Sequence, residues 1–136
     1  MPLSTRLCEA RLRVRYAETD AMGVAHHSAY VAWLEVGRVE WLRAAGGDYR
    51  QLEREGYGLP VVELRLRYVA PARVDDPLGV RTAMADLRSR EAQFVYEILT
   101  DETRPRQIAN GMTRHICLHR GQVAIMHDSL RLAAQS

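Results

Sequence analysis

The chain has 136 residues, 47% hydrophobic and 26% charged, with a formal net charge of +2. That is the length and balance of one globular domain, which excludes disordered and collagen-like chains and needs no disulfide or metal to fold. The 19 basic residues are all arginines, scattered and largely matched by 17 acids, which argues against nucleic acid as the main partner.

The N-terminal segment MPLSTRLCEARLRV has no apolar core before its charges begin, so no signal peptide is expected. The longest stretch free of Asp, Glu and Arg, Ala21 to Leu34, contains two histidines and is too short to span a bilayer. The expectation is a cytoplasmic protein with a single domain over residues 1–136. Cys8 and Cys117 lack metal-ligand spacing and are expected as free thiols, with a disulfide the lesser reading.

The first element is a strand. From Cys8 to Tyr16 the even positions are apolar or aromatic and Glu9, Arg11, Arg13 and Arg15 are charged, a period of two. A polar segment, Ala17 to Gly23, ends it. A long helix follows, because Tyr30, Trp33, Leu34, Gly37, Trp41 and Ala45 fall on one uncharged stripe. Ser28 suits its N-cap and Gly46-Gly47 its stop. A short helix over 48–55 leads to the Gly56-Tyr57-Gly58 break. Four strands come next, at Val62–Tyr68, Val80–Leu87, Phe94–Leu99 and Ile108–Leu118, separated by turn-like residues. Their succession predicts antiparallel neighbours, and residues from Asp128 read as a short tail. One helix over one face of such a sheet is a two-layer α+β domain whose open edges invite self-association.

Chemistry concentrates between the first strand and the helix. Asp20 lies a few residues before a helix start, where unpaired N–H groups and a partial positive charge accumulate. Such donors stabilise the oxyanion of an attacked carbonyl, and a nearby carboxylate attacks directly or deprotonates water. An Asp before a helix is ordinarily a cap, and on these residues alone both roles stay open.

The run Arg13 to Arg43, RVRYAETDAMGVAHHSAYVAWLEVGRVEWLR, resembles the signature of the 4-hydroxybenzoyl-CoA thioesterase-like branch of the hotdog superfamily. It is similar in particular to the Tol–Pal-associated acyl-CoA thioesterases. The matching positions are Tyr16, Thr19, Asp20, Gly23, Val24, His27, Tyr30, Glu35 and Arg38. A second match is Tyr68 to Leu78, YVAPARVDDPL. The resemblance implies an α+β hotdog fold, an antiparallel sheet wrapped around one long helix, and hydrolysis of a small-to-medium acyl-CoA. It makes Asp20 the catalytic carboxylate and the backbone N–H of His27 the oxyanion donor. Gly23, Val24, His26, Tyr30 and Glu35 would surround the substrate, and Arg88 and Arg90 would contact the CoA phosphates. It implies no cofactor, since coenzyme A is part of the substrate. It also implies a homodimer with sites at the subunit interface, pairing further into a homotetramer, and allows contact with an acyl-carrier protein. Two positions depart from the pattern: His26 stands where an aromatic residue is usual, and Met22 where a small one is common.

Other readings compete at several residues. His26-His27 invites a metal, but His115 and His119, placed on one strand, would sit roughly 13 Å apart and could not share an ion, so no metal is expected. The His27 imidazole either stays idle beside its amide, or orients water or hydrogen-bonds the substrate. Glu35 and Arg38 have the spacing of a simple helical ion pair, although Glu35 could instead hold the Asp20 loop. His127-Asp128 reads as a solvated pair. A non-catalytic acyl-CoA-binding module is the alternative to an enzyme. A hotdog hydratase or dehydratase is the other, although the His motifs of those relatives are not found here.

Overall fold

The computed structural model describes residues 6–136, and the first five residues of the charged N-terminal segment lie outside it. Strand β1 runs Cys8–Arg13, with Ala10 buried and Glu9, Arg11 and Arg13 exposed, as the alternation requires. It is three residues shorter than expected. Arg15 opens a 3₁₀ turn, Tyr16–Glu18, and Tyr16 is 85% exposed rather than inward.

Helix α1, His27–Ala44, buries Tyr30, Trp33, Leu34, Gly37 and Trp41, which is the expected stripe without Ala45, together with Ala29 and Leu42. Its N-cap is His26, not Ser28, and His26 makes no side-chain cap bond. Gly46 (φ +89°) turns the chain out of the helix. Helix α2, Tyr49–Arg54, starts where Asp48 accepts the Arg50 N–H at 2.9 Å.

The strands that follow are β2 (Tyr57–Gly58), β3 (Val61–Tyr68), β4 (Pro77–Leu87), β5 (Glu91–Thr100), β6 (Gln107–Ile116), β7 (Leu118–His119) and β8 (Gln122–Val123). The main sheet is antiparallel in the order β1-β4-β5-β6-β3. Thus β3 pairs with β6 and not with β4, which overturns one expected neighbour pair. The cause lies in residues 70–76, whose backbone groups bond to other segments instead of closing a hairpin: Ala72 C=O accepts from Ala25, Val74 N–H donates to Gly23, and Asp75 N–H to Val14. The expected strand through Leu118 breaks at Cys117. Arg120 (φ 53°) and Gly121 (φ 82°) then turn β7 into β8, both in the left-handed region that a two-residue hairpin needs.

The tail is a helix, α3 (Asp128–Gln135), with Leu130, Ala133 and Ala134 buried. His127 is not a solvated partner of Asp128. Its Nδ1 accepts the Ser129 N–H at 3.0 Å, capping α3, and its ring packs edge-on against Tyr57. Both cysteines are free thiols, Cys117 buried and Cys8 half-buried.

The core lies between α1 and the inner face of the sheet, where Trp33, Trp41 and Leu34 meet Val80, Met84, Phe94 and Ile98. Helix and sheet touch at Gly37. A Cβ there would meet Val80 Cγ1 at 2.8 Å and overlap Thr82, so only glycine fits. Beside this contact runs a buried polar relay. His115 Nδ1 bonds the Leu59 carbonyl at 2.9 Å, and a carbonyl only accepts, so Nδ1 carries the proton. The other nitrogen, Nε2, accepts from Thr113 Oγ1 at 2.8 Å. Thr113 Oγ1 in turn accepts from the Tyr96 hydroxyl at 2.5 Å, and Arg38 Nη1 donates to that hydroxyl at 3.3 Å. No described helix is long and apolar enough to cross a membrane.

Candidate active site

The segment from Arg15 to His27 is fixed by the Glu18 and Asp20 carboxylates and by main-chain bonds. Glu18 folds back and accepts the Arg15 N–H at 2.8 Å, the Arg15 guanidinium at 3.0 Å and the Trp33 indole N–H at 3.0 Å. Burial works to raise the pKa of this carboxyl, but the Arg15 and Trp33 bonds overcome it, and the net shift is downward. Glu18, not Glu35, therefore ties the loop to the helix. Residues Thr19 and Ala25 pair across a small closed hairpin, and His26 N–H returns to Glu18 C=O at 2.8 Å.

Asp20 sits at the tip. Its N–H donates to Val24 C=O, and its Oδ1 accepts the N–H groups of Met22 at 2.8 Å and Val24 at 3.2 Å. Gly23 (φ +75°) supplies the left-handed turn between them. Those two N–H donors, with a smaller contribution from the His26 charge, hold the carboxyl below its ordinary pKa. It is exposed and ionised at neutral pH. Oδ2 has no donor among the described residues.

The two sequence motifs, about fifty residues apart, meet here. Ala25 N–H donates to Ala72 C=O at 2.8 Å, Val74 N–H donates to Gly23 C=O at 3.0 Å, and Val24 bridges to Arg73. Between the motifs and the start of α1 lies a hollow of about 280 Å³, lined by Val24, Ala25, His27, Tyr30 and Tyr68 through Pro71. Since His26 offers no side-chain cap, the His27 and Ser28 amides at its edge meet no protein acceptor among the described residues. The His27 imidazole stacks on Tyr68, with centroids 4.3 Å apart. Tyr30 is buried with its ring against Trp33, and burial raises its hydroxyl pKa against a weaker opposing contact from Ala72.

The structure brings Val24, His27 and Tyr30 to the hollow, with Asp20 and Gly23 on the adjoining loop outside its lining, and leaves the other expected residues away from it. His26 is exposed and lines no part of the hollow. Glu35 faces outward in a different depression with Val36, Val39 and Glu40, and forms no pair with Arg38, which turns inward to Tyr96. Arg88 and Arg90 stand in the β4–β5 turn, where Arg88 pairs with Asp86. The eleven residues of β4 extend roughly 33 Å, so these arginines lie at the opposite end of the sheet from the Asp20 loop. His115 and His119 fall on separate strands, and no group of three or more His, Cys, Asp or Glu among the described residues could hold a metal. Reading the sequence missed Glu18 and Tyr68. Glu18 returns to the Arg15 N–H as the acid of a capping box does, but Arg15 has no side-chain acceptor to complete the box, so the residues there carry no N-cap signal.

A sheet wrapped on one long helix, with a carboxylate loop at the helix start, defines the hotdog class. The chain belongs to the thioesterase-like superfamily, a family of thioester hydrolases, whose model matches residues 14–133. It is similar to the acyl-CoA thioester hydrolase YbgC of Escherichia coli O6:H1, 35% identical over 74% of this chain and 75% of that one. The putative acyl-CoA thioesterase YneP of Bacillus subtilis is 34% identical over 64% of this chain, which spans 63% of YneP. Among solved structures, the hypothetical protein TT1821 of Thermus thermophilus superposes with a TM-score of 0.87 at 41% identity, over 93% of this chain and 97% of that one.

Proposed function

We propose that the chain hydrolyses the thioester of a small-to-medium acyl-CoA, releasing the free acid and CoA. The observation that carries this reading is a fixed carboxylate on the loop beside a hollow edged by uncapped amides. Asp20, fixed as a carboxylate by backbone donors, is bonded to Val24, which lines the hollow, and the uncapped amides of His27 and Ser28 lie at its edge. With the acyl group in the hollow, its carbonyl oxygen faces those amides, and negative charge developing there is stabilised without reorganisation. Asp20 either attacks the carbonyl carbon, giving an anhydride that water opens, or takes a proton from an attacking water. In both routes the C–S bond breaks and the sulfur leaves as CoA thiolate, which takes up a proton from solvent.

A second copy of the chain supports the same reading. Strand β3 is a free edge carrying exposed Val61, Val62, Leu64 and Tyr68. Antiparallel pairing of two β3 strands about Arg65 places Leu64 opposite Leu66 and Val62 opposite Tyr68 on one face, and on the other Glu63 opposite Arg67 of the second copy, these two acid–base pairs flanking an Arg65–Arg65 contact at the axis. In such a homodimer, paired again into a homotetramer, Arg88 and Arg90 serve the CoA phosphates of another copy's site.

Release of free thiol from a panel of aliphatic and aromatic acyl-CoAs tests the proposal, with sedimentation run in parallel. Thiol release by a dimer or tetramer is the expected result. Binding without release, or hydration of an enoyl-CoA instead, would overturn it.

A further inference from the structure

We propose that Tyr68 is a positioning residue that strengthens a second oxyanion donor, the N–H of Ser28. This inference rests on the thioesterase reading above. Tyr68 ends β3 and grips the first residue of α1 in two ways. Its ring stacks on the His27 imidazole with an interplanar angle of 24°, and its hydroxyl donates to the His27 carbonyl at 3.2 Å. It also meets Tyr30 edge-on at 4.9 Å, so the aromatic wall of the hollow is one contiguous group.

The hydroxyl bond is not required to satisfy the helix. The His27 carbonyl lies in the first turn and already accepts a helical N–H from four residues on. A second donor on that oxygen polarises the peptide unit joining His27 to Ser28, which makes the Ser28 N–H a stronger donor. The peptide before it is polarised in a parallel way, because the His26 carbonyl accepts the Ala29 N–H at 3.0 Å. Both amides belong to the first turn, where no helical acceptor exists. The stack on His27 meanwhile fixes the backbone that carries both. Tyr68 thus acts through the backbone of the helix start, on a different residue from Asp20, and nothing in the Asp20 loop substitutes for it.

The test is Tyr68→Phe, which keeps the ring and removes only the hydroxyl, beside Tyr68→Leu, which removes both contacts. In the substrate-free protein the Ser28 amide proton resonance of Tyr68→Phe should move upfield while those near the end of α1, such as Arg43, stay in place. With a turned-over acyl-CoA, kcat of Tyr68→Phe should fall about three- to tenfold with KM within about twofold, and Tyr68→Leu should fall further. An unmoved Ser28 resonance, an unchanged kcat, or a loss confined to KM would overturn the proposal. If the parent protein released no thiol from any acyl-CoA, the thioesterase reading would fail instead, and the resonance would still judge the polarised amide.

Discussion

The two ends of α1's polar environment are built from opposite materials. At the helix start the charge is held by main chain: Asp20 by two backbone N–H groups, and the hollow by two free amides. On the sheet side the relay from Arg38 through Tyr96 and Thr113 to His115 is made of side chains, and only its last link, at Leu59, is backbone. The first is exposed and leaves donors open. The second is largely buried, and each of its members bonds the next. The difference separates function from stability: a reacting site needs unspent hydrogen-bond capacity where charge will develop, whereas the relay spends its capacity internally.

Substitutions can break this contrast. Asp20→Asn should lower turnover by about 10² to 10⁴ while leaving the melting temperature nearly unchanged, since the amide oxygen still accepts from Met22 and Val24. Steady-state thiol release beside thermal unfolding decides it, and comparable losses in both would merge the two regions. The relay should answer to pH instead. Burial chiefly, with the Arg38 charge assisting, pulls the His115 pKa down to about 4 against an ordinary 6.5. Between those values the unfolded chain binds a proton that the folded chain refuses. Stability is therefore full above about pH 6.5 and falls as pH drops toward 4, by about 3 kcal/mol in all. Denaturant unfolding across that window should show the slope, and His115→Gln should flatten it. The smallest effect concerns the far turn: replacing Arg88 and Arg90 together by alanine should raise KM for acyl-CoA a few-fold, roughly 1 kcal/mol of phosphate contact, with kcat little changed. An equal loss on an acyl thioester lacking the nucleotide would remove the phosphates from that account.

How much was legible beforehand follows the same division. The alternation of β1 was readable because Glu9, Arg11 and Arg13 mark its outward face, and the stripe of α1 because its buried residues recur at helical spacing. The motif around Asp20 was readable as a run, and the second motif as another. Their docking was not, since it runs through main-chain atoms of Ala25, Ala72, Gly23 and Val74 that carry no residue-type signal. The same bonds explain why β3 was wrongly expected beside β4. Helix α3 escaped because eight residues give little more than two turns of periodicity, although Leu130, Ala133 and Ala134 have helical spacing. The N-cap was misplaced at Ser28 because α1 starts without a side-chain cap, and this irregularity leaves its first amides available.

That availability is the centre of the account, and one pair of variants reaches it directly. Proline is tolerated at the first position of a helix, and His26 (φ −63°, ψ 149°) already has the extended backbone that must precede it. His27→Pro therefore deletes the His27 N–H with the helix kept, whereas His27→Ala keeps the N–H and deletes the imidazole. With both proteins folded by circular dichroism, kcat for thiol release should fall about 10²- to 10³-fold for His27→Pro and no more than about tenfold for His27→Ala. Equal losses in the two, or a proline variant as active as the alanine one, would contradict it.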